Sequence, residues 1–208
     1  MSLYDRHILP WLIERACSVA PIARQRSAWV PLARGRVLEI GVGAGQNLRH
    51  YDRAAVTRII GLDISPPLLS RAEAEARRLD LPFSPLLLDA ATIPLDDASV
   101  DCVVVTFTLC SITQLAPALA EMRRVLHPDG LLLFCEHGHA PDAGVARVQR
   151  FIEPAWKPLA GGCHLTRDPV AALLAAGFRV ERLEQAYLPH VWRGVGWVSC
   201  GVARRDQA

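Results

Sequence analysis

The chain has 208 residues, the size of one domain, and we predict a single domain over residues 1–208. Its formal net charge is only +2 and its basic residues are scattered, which excludes a strong binding surface for nucleic acid. No stretch of about 18 uninterrupted apolar residues is present, so we expect no membrane-spanning helix. Peripheral membrane contact and the oligomeric state stay open.

Strand-like and helix-like segments alternate along most of the chain. The continuous apolar run within the fourth strand-like segment is typical of burial on both faces, as in a parallel sheet. Ser65 and Asp168 precede helix-like segments and are predicted N-caps. Strands are predicted over residues 36–40, 56–64, 83–89, 99–110 and 131–138, and helices over residues 66–80, 114–130 and 168–178.

Three segments fall outside this alternation. Residues 1–33 are predicted to form a helical cap. Residues 141–167 are predicted to form an insertion over the carboxyl edge of the sheet, with a short helix around 144–154 inside it. The tail predicts two long strands joined near residues 189–196. The whole pattern predicts a three-layer α/β fold, in which ligands bind outside the carboxyl ends of the strands.

The first predicted strand runs into a glycine-rich turn, in which Glu39 precedes Gly41, Gly43 and Gly45. Glycines allow close approach of a ligand, and a helix after the turn would offer unpaired N–H groups. The dinucleotide pattern G-x-G-x-x-G would need a glycine at position 46, which is Gln46. A carboxylate beside the turn disfavours a pyrophosphate and favours a cationic ligand such as S-adenosylmethionine.

Two further acids end strands at the same predicted edge. Asp63 lies 22 residues after Gly41, near the offset of about 20 residues at which an acid binds ribose hydroxyls. Asp89 can accept a hydrogen bond from an adenine amino group. Each feature alone is explained equally well as a turn or a cap, but three in order along one edge predict a cofactor site. Its predicted residues are Glu39, Gly41, Gly43, Gly45, Asn47, Asp63, Ile64, Asp89, Ala90 and Thr106.

These motifs resemble those of the class I S-adenosylmethionine-dependent methyltransferases over residues 36–137. "VLEIGVGAG" is similar to the glycine motif of that family, "GLDIS" to its ribose-binding strand end and "LLLDA" to its adenine-contact strand. "EMRRVLHPDGLLLFCEH" is similar to its next helix–strand module, with Asp129 in place of a glycine. The resemblance implies S-adenosylmethionine as cofactor. It also implies a Rossmann-like seven-stranded sheet of order 3-2-1-4-5-7-6, with the last strand antiparallel and helices on both faces.

Motifs farther along resemble the methyltransferase-like-seven branch, whose animal members are thiol S-methyltransferases acting on small alkyl thiols. "TLCSI" (108–112), "EHGHA" (136–140) and "EPAWKPLAGGCHLTRD" (153–168) follow the order of that branch. The chain departs from it at the N-terminus, which is not an apolar membrane anchor, and at His164, where the branch has asparagine. The resemblance implies a small-molecule methyl acceptor, with a thiol favoured.

A thiol acceptor reacts as its thiolate, and a nearby imidazole helps to form that thiolate. His137 and His164 are therefore predicted to orient or deprotonate the acceptor. Each of the predicted residues could equally be an ordinary packing or hydrogen-bonding residue. No H-x-x-x-H spacing is present, so we predict no metal site. The residues predicted to line the acceptor pocket are Cys110, Trp11, Trp156 and His190.

The six cysteines of the chain show no C-x-x-C spacing, which argues against a zinc ribbon or a redox motif. Cys102 and Cys135 lie in apolar strand-like runs and are predicted to be reduced core residues. We therefore expect a reducing, cytoplasmic location.

Two other functions stay open at the level of sequence. A related enzyme could methylate a phospholipid headgroup amine or a quinone carbon. A protein of another class could bind S-adenosylmethionine without catalysis, as a sensor.

Overall fold

Seven strands form one mixed sheet within residues 15 and 17–206, which the computed structural model describes. Their bounds are Gly35–Ile40 (β1), Val56–Asp63 (β2), Phe83–Leu87 (β3), Val100–Thr106 (β4), Leu126–His137 (β5), Phe178–Tyr187 (β6) and Trp197–Arg205 (β7). The order is β3-β2-β1-β4-β5-β7-β6. Neighbours from β3 to β5 run parallel, and β7 runs antiparallel to β5 and β6. The sheet implied by the resemblance is confirmed.

Six α-helices accompany the sheet in this described part of the chain. Their bounds are Ala20–Trp29 (α1), Pro66–Arg78 (α2), Leu115–Val125 (α3), Ala143–Leu159 (α4), Pro169–Ala175 (α5) and Arg193–Gly196 (α6). None of them is long and apolar enough to cross a membrane. The predicted helical cap is described from α1 onward, and α1 packs Trp29 against β5 and β7. The earlier part of the cap, with Trp11, lies outside the described residues.

Two hydrophobic cores cover the two faces of the sheet. Successive residues of a strand point to opposite faces, and β1 shows this directly. Leu38 joins the core under α3 and α5, whereas Val37 joins the core that includes Ala76 of α2. Residues of β4 divide in the same way, with Val103 in the first core and Val104 in the second. This double burial explains the uninterrupted apolar sequence of β4 and gives the predicted three layers.

The two predicted N-caps behave differently. The Asp168 side chain accepts hydrogen bonds from the backbone N–H groups of Val170 at 2.9 Å and Ala171 at 3.0 Å, as a capping residue does. Ser65 occupies the N-cap position of α2, but its side chain makes no capping hydrogen bond. Pro66 in the first turn of α2 has no backbone N–H that needs a partner, so the missing cap costs little stability.

Several predicted boundaries were wrong. The helix predicted over 114–130 ends at Val125 and β5 begins at the next residue, because Pro128 cannot continue a helix. The short helix predicted around 144–154 runs to Leu159, although it contains Pro154 and Pro158. The fourth strand ends at Thr106, since Phe107 has a φ of 53° and turns the chain out of the sheet.

The helix expected directly after the glycine-rich turn is also missing from the described structure. Only a 3₁₀ turn, Leu48–His50, follows the turn. A binding mode that relies on the N-terminus of a long helix at this point is therefore excluded. A ligand at the turn depends on the loop backbone and on side chains from neighbouring elements instead.

The prediction that Cys135 is reduced was wrong. Cys135 in β5 and Cys200 in β7 occupy facing positions in the antiparallel pair and are joined as a disulfide. Cys102 is free and buried, as predicted, and so are Cys110 and Cys163.

Candidate active site

A cavity of about 780 Å³ opens at the carboxyl ends of β1, β2 and β4. This volume falls within the range of about 300–1,000 Å³ typical of small-molecule sites. One part, here called the cofactor side, is lined by the glycine-rich turn and by the residues that follow β2 and β3. The other part, here called the α4 side, is lined by Ser111, Ile112, Thr113, Lys157, Pro158, Gly161 and Gly162. A smaller cavity lies at the opposite edge of the sheet, around Gly35 and Gly130.

The glycine-rich turn is wedged between the loop after β4 and helix α2. Gly41 has a φ of 69°, and a Cβ atom there would lie 2.3 Å from Oγ1 of Thr108. Gly45 has a φ of 85°, and a Cβ atom there would lie 2.7 Å from Leu48 and 3.2 Å from the Cα of Ala72. Side chains at both positions are excluded by the backbone conformation and by the neighbours.

Asp63 fixes this turn and also faces the cavity. Its Oδ2 accepts a hydrogen bond from the Gly43 N–H at 2.8 Å, and its Oδ1 accepts one from the Ser65 N–H at 2.8 Å. Burial raises the pKa of Asp63, while the N–H donors of Ser65 and Gly43 oppose that rise. Each oxygen keeps a second lone pair for a ligand hydroxyl. Asp89 is exposed and lines the cavity with one oxygen bonded to the Ala91 N–H at 2.8 Å.

Arg26 of α1 lines the cavity and belongs to a buried polar network. Its Nη1 donates to Oδ1 of Asn47 at 2.6 Å and to Oγ1 of Thr106 at 2.7 Å. Asn47 in turn donates to Glu39 at 2.9 Å, and the Tyr51 hydroxyl donates to the other oxygen of Glu39 at 2.7 Å. The Nε of Arg26 is buried and has no partner among the described residues. Arg26 therefore brings a charged group to the cavity lining, while its Nε is buried behind that lining.

Burial shifts the pKa values of the ionisable groups in this network. Burial raises the pKa of Glu39 to about 7, although the Tyr51 hydrogen bond and the charge of Arg26 act in the opposite direction. Burial lowers the pKa of Arg26, against the charges of Cys17 and Glu39. Glu39 and Arg26 thus form a weakly solvated pair of opposite charge, linked through Asn47.

The loop after β4 is held by a single buried carboxylate. Oε1 of Glu136 accepts the Thr108 N–H at 2.8 Å, and Oε2 accepts the Cys110 N–H at 3.4 Å. Glu136 is fully buried, which raises its pKa to about 7 against the N–H donors of Thr108 and Leu109. Phe107 begins this loop in a left-handed conformation and lines the cavity, the kind of strained position often found at functional sites.

Three sulfur and nitrogen groups meet beside the α4 side of the cavity. His137 Nε2 lies 2.8 Å from Sγ of Cys163, and the indole N–H of Trp156 donates to the same sulfur at 3.2 Å. The ligand atoms of Cys110, His137 and Cys163 all lie within 4.8 Å of one another. A metal site was not expected from the sequence, and this cluster is a possible one. It is called the Cys-His-Cys cluster below.

The groups of this cluster shift each other's pKa values. The hydrogen bond from the Cys110 thiol lowers the pKa of Cys163 against the effect of burial, and His137 lowers it further. The same bond raises the pKa of Cys110. Burial acts to lower the pKa of His137, but its contact with Cys163 outweighs burial and the net shift is upward. Of the two thiols, Cys163 is thus the more acidic.

The sequence and fold agree with one enzyme family. A family model described as a methyltransferase domain matches residues 38–134. Thiol S-methyltransferase TMT1B of Homo sapiens is 36% identical over 170 residues, which cover 79% of this chain and 69% of that protein. The chain belongs to the S-adenosylmethionine-dependent methyltransferases. S-adenosylmethionine is its methyl donor.

Other proteins resemble this methyltransferase in sequence or in fold. A demethylmenaquinone methyltransferase of Thermus thermophilus is 32% identical, over 73% of this chain and 71% of that one. The crystal structure of a putative methyltransferase from Bacillus halodurans superposes with a TM-score of 0.70, at 15% identity, over 95% of this chain and 99% of the other. That structural likeness shows the fold alone. The chain spans about two thirds of the length of the thiol S-methyltransferases that it matches.

Most predicted cofactor residues of the methyltransferase meet at the cavity, but three lie behind its lining. Glu39 and Asn47 belong to the polar network under the cavity floor, and Gly45 packs against α2. The contact predicted between Glu39 and a cationic ligand is therefore indirect in this geometry. The predicted residues that do line the cavity are Gly41, Gly43, Asp63, Ile64, Asp89, Ala90 and Thr106.

The predicted acceptor residues that the structure describes do not line the cavity. Cys110 packs with Trp156, Cys163 and Leu165 in a small cluster behind the α4 side, and none of these four is part of the cavity lining among the described residues. His190 is exposed, in the turn after β6, and lies away from the lining. Trp11 is outside the described residues.

Neither predicted catalytic imidazole lines the cavity in the described part of the chain. His137 contacts Cys163, and His164 Nδ1 lies 3.3 Å from Glu153. Their roles stay predictions. The residue that sequence reasoning missed most clearly is Arg26, because one arginine in an N-terminal helix carries no motif. Cys163 lies within a motif of the thiol-methylating branch, but its partner His137 lies 26 residues away.

Proposed function

We propose that this methyltransferase transfers the methyl group of S-adenosylmethionine to the sulfur of a small, uncharged or weakly polar thiol. The observation that carries the proposal is one continuous cavity that joins the cofactor side to the α4 side. Both substrates of a direct transfer then share one space. The 36% identity to a thiol S-methyltransferase supports sulfur as the acceptor atom.

On the cofactor side, Asp63 and Asp89 are proposed to hold the nucleoside. The free lone pairs of Asp63 accept the two ribose hydroxyls, and the unbonded oxygen of Asp89 accepts the adenine amino group. Ile64 is 72% exposed in the cavity lining and offers apolar surface that the adenine ring covers. These contacts bind the part of the cofactor that does not react.

Arg26 is proposed to hold the carboxylate of the cofactor's methionine part. Its position in the lining makes it a cation of the described cavity. Asn47 and Thr106 fix the guanidinium, so little side-chain entropy is lost when the carboxylate binds. Glu39 offsets the buried charge of Arg26 from below and favours the cofactor's ammonium group at longer range.

The bound cofactor supplies an activated sulfonium methyl group, so the protein's task is alignment and exclusion of water. Phe107, Ser111 and Gly162 bring the loop after β4 and the loop after α4 to the α4 side, where we place the acceptor. Residues 1–30 and 141–167 are proposed to close over this side together. Lys157 of the second segment lines this side, and Arg26 of the first segment lines the same cavity, which supports this arrangement.

We also propose that the enzyme works in a reducing, cytoplasmic setting, because Cys102, Cys110 and Cys163 are free and buried. The Cys135–Cys200 disulfide is an exception to that pattern. Peripheral contact with a membrane is supported by Phe151 of α4, an apolar side chain that is 85% exposed.

The experiment is a methyl-transfer assay with methyl-labelled S-adenosylmethionine and three acceptors. These are a short alkanethiol, a demethylmenaquinone, and vesicles of phosphatidylethanolamine. We expect label in the alkyl methyl sulfide alone, identified by mass spectrometry. The alcohol of the same chain length is the control, and it should take no label because an unionised hydroxyl is a poor nucleophile. Label in the quinone or the lipid, with none in the thiol, would contradict the proposed acceptor. Cofactor binding without transfer to any of the three would favour the non-catalytic alternative.

A further inference from the structure

The Cys-His-Cys cluster is assembled from three separate parts of the chain. Cys110 lies in the loop after β4, His137 ends β5, and Cys163 lies in the loop after α4. Two of the three side chains are buried and the third is half-buried. The nucleoside and carboxylate contacts proposed above use none of the three. The proposed cofactor contacts therefore do not explain why two sulfurs and an imidazole nitrogen lie together here.

We propose that Cys110, His137 and Cys163 bind a thiophilic divalent cation, zinc above all, whose open fourth position receives the sulfur of the acceptor. The second half of this proposal rests on the thiol acceptor proposed above. The first half, the metal site, stands on the cluster alone.

The donor set fits zinc, and the three donors lie close enough together to share one ion. Zinc bonds of about 2.3 Å to sulfur and about 2.0 Å to nitrogen place tetrahedral ligands about 3.5–3.8 Å apart. The His137–Cys163 distance of 2.8 Å is shorter than this value, as expected of two ligands in direct contact without an ion, and all three ligand atoms lie within 4.8 Å of one another. Two thiolates and one imidazole form a three-ligand set of the kind that leaves one position for a substrate. Such soft donors disfavour magnesium and calcium, which prefer oxygen.

The cluster is held in place by contacts beyond the three ligands. Glu136 accepts the backbone N–H of Cys110, and the His164 N–H donates to the Cys110 carbonyl at 2.9 Å, which ties the two cysteine loops together. The Trp156 indole donates to Cys163. Glu153 accepts the Thr166 N–H at 2.7 Å and so fastens the Cys163 loop to α4. A site with fixed ligands loses little entropy when it takes an ion.

The cluster also lies next to the proposed acceptor position. Ser111 and Gly162 directly follow and precede Cys110 and Cys163 in the chain, and both line the α4 side of the cavity. A Cβ atom on Gly162 would lie 3.4 Å from the Ser111 carbonyl, so the two loops meet there. The cluster therefore lies directly behind the cavity wall, because the chain neighbours of both its cysteines form part of that wall.

The proposed step balances without an oxidant or a reductant. A thiol that binds the metal loses its S–H proton to solvent and stays as a coordinated thiolate. Its sulfur forms the new S–CH₃ bond while the methyl–sulfonium bond breaks, and the electron pair of that bond stays on the departing sulfur. One negative and one positive sulfur become two neutral thioethers. A neutral thioether is a weaker zinc ligand than a thiolate, so the product can leave.

The first experiment measures metal content. The full-length protein, purified under reducing conditions, is incubated with zinc, passed through a desalting column and analysed by elemental mass spectrometry. We expect about one zinc per chain, as one cluster of this kind binds one ion. Cys110→Ser, Cys163→Ser and His137→Gln should each weaken zinc binding by more than the roughly 10–100-fold that loss of an outer partner costs. Cys102→Ala, which removes a buried cysteine outside the cluster, should leave the zinc content unchanged.

A variant that fails to fold is recognised by loss of S-adenosylmethionine binding in calorimetry. In that case, cobalt titration of the unchanged protein gives a second measure. Cobalt in the cluster should produce a sulfur-to-metal charge-transfer band and the visible bands of a tetrahedral ion. A protein that holds no zinc after desalting and gives no such bands would overturn the metal site.

The second experiment tests the fourth position. A short alkanethiol is added to the cobalt-loaded protein with S-adenosylhomocysteine bound, so that no transfer occurs. Binding of the thiol to the ion should change the visible bands, and the alcohol of the same length should not change them. If the bands stay fixed while the zinc protein methylates that thiol, the acceptor does not bind the metal and the proposed function stands. If the ion binds but no thiol is ever methylated, the proposed function fails and the metal site stands.

Discussion

Asp63 Oδ2 accepts a hydrogen bond of 2.8 Å from the backbone N–H of Gly43. This contact joins the end of β2 to the glycine-rich turn after β1, two motifs 20 residues apart in the sequence. The acid predicted to bind the ribose therefore also sets the shape of the turn. A change at Asp63 should affect the cofactor both directly and through the loop.

Asp63→Ala should weaken S-adenosylmethionine binding by roughly 1–3 kcal/mol, the loss expected for charge-assisted hydrogen bonds. Titration calorimetry measures this. Asp96→Asn, in an exposed turn away from the cavity, is the matched control and should bind as the unchanged protein does. Equal affinity in Asp63→Ala and the control would mean that Asp63 holds the turn but not the cofactor.

Arg26→Gln should weaken binding of S-adenosylhomocysteine by roughly 1–3 kcal/mol, because the carboxylate loses its charged partner. The same variant should bind 5′-methylthioadenosine normally, since that molecule has the nucleoside and the sulfur but no amino acid part. Asp63→Ala is the comparison, and it should weaken both ligands alike. A parallel loss of both ligands in Arg26→Gln would show that Arg26 acts on the fold of the cavity and not on the carboxylate.

Stability should fall as pH rises because of Glu39. Its pKa is about 7 in the folded protein, raised by burial, against about 4.3 in an unfolded chain. The folded state therefore binds the proton more tightly, and the resulting stabilisation is complete below about pH 4.3 and is lost by about pH 7, a difference on the order of 3 kcal/mol.

Denaturant unfolding at several pH values tests this by comparison with Glu39→Gln, which cannot titrate. The stability of the unchanged protein minus that of the variant should decrease between about pH 5 and about pH 7. Glu136, whose pKa burial also raises to about 7, titrates in both proteins and cancels in the difference. A difference that is flat across this range would contradict the raised pKa of Glu39.

Gly41→Ala should destabilise the protein by at least about 1 kcal/mol, because φ is 69° and the new methyl group would overlap Thr108. It should also weaken cofactor binding, since Thr108 shares the cavity wall. Gly144→Ala is the matched control in α4, where a Cβ atom meets nothing within 4 Å. It should be neutral or stabilising by up to about 1 kcal/mol, as replacing a helical glycine normally is. Thermal unfolding distinguishes the two.

The sheet and the cofactor side could be predicted from the sequence because their signals are local. A strand is visible as an apolar run, and parallel strands bring their carboxyl ends to one edge, so the sequence alone places Gly41, Asp63 and Asp89 together. Boundaries set by neighbours could not be predicted in this way. Pro154 and Pro158 suggested an irregular segment, yet α4 continues through both.

The rest of the site depends on contacts between distant segments. Arg26 lines the cavity only because α1 packs Trp29 against β5 and β7, a docking that no local pattern records. Cys163 meets His137 because the loop after α4 is tied to the loop after β4. Histidines were predicted from their position after β5 and in the insertion, but the sulfur partner was not. Such pairings are fixed by tertiary packing, which spacing along one chain does not encode.

The α4 side of the cavity should decide which thiols are accepted, and Thr113 allows a direct test. Thr113 is exposed, lines this side and precedes α3, so a larger side chain there can fill the space without disturbing the core. Thr113→Trp should raise the KM for an alkanethiol by about 10-fold or more, which corresponds to about 1.4 kcal/mol of lost binding. Cofactor affinity should be unchanged, and the effect should grow with the chain length of the thiol. Gln114→Trp places the same group one residue farther on, outside the lining, and should leave the KM unchanged. Equal effects of the two variants, or an effect on cofactor affinity instead of KM, would mean that the acceptor enters elsewhere.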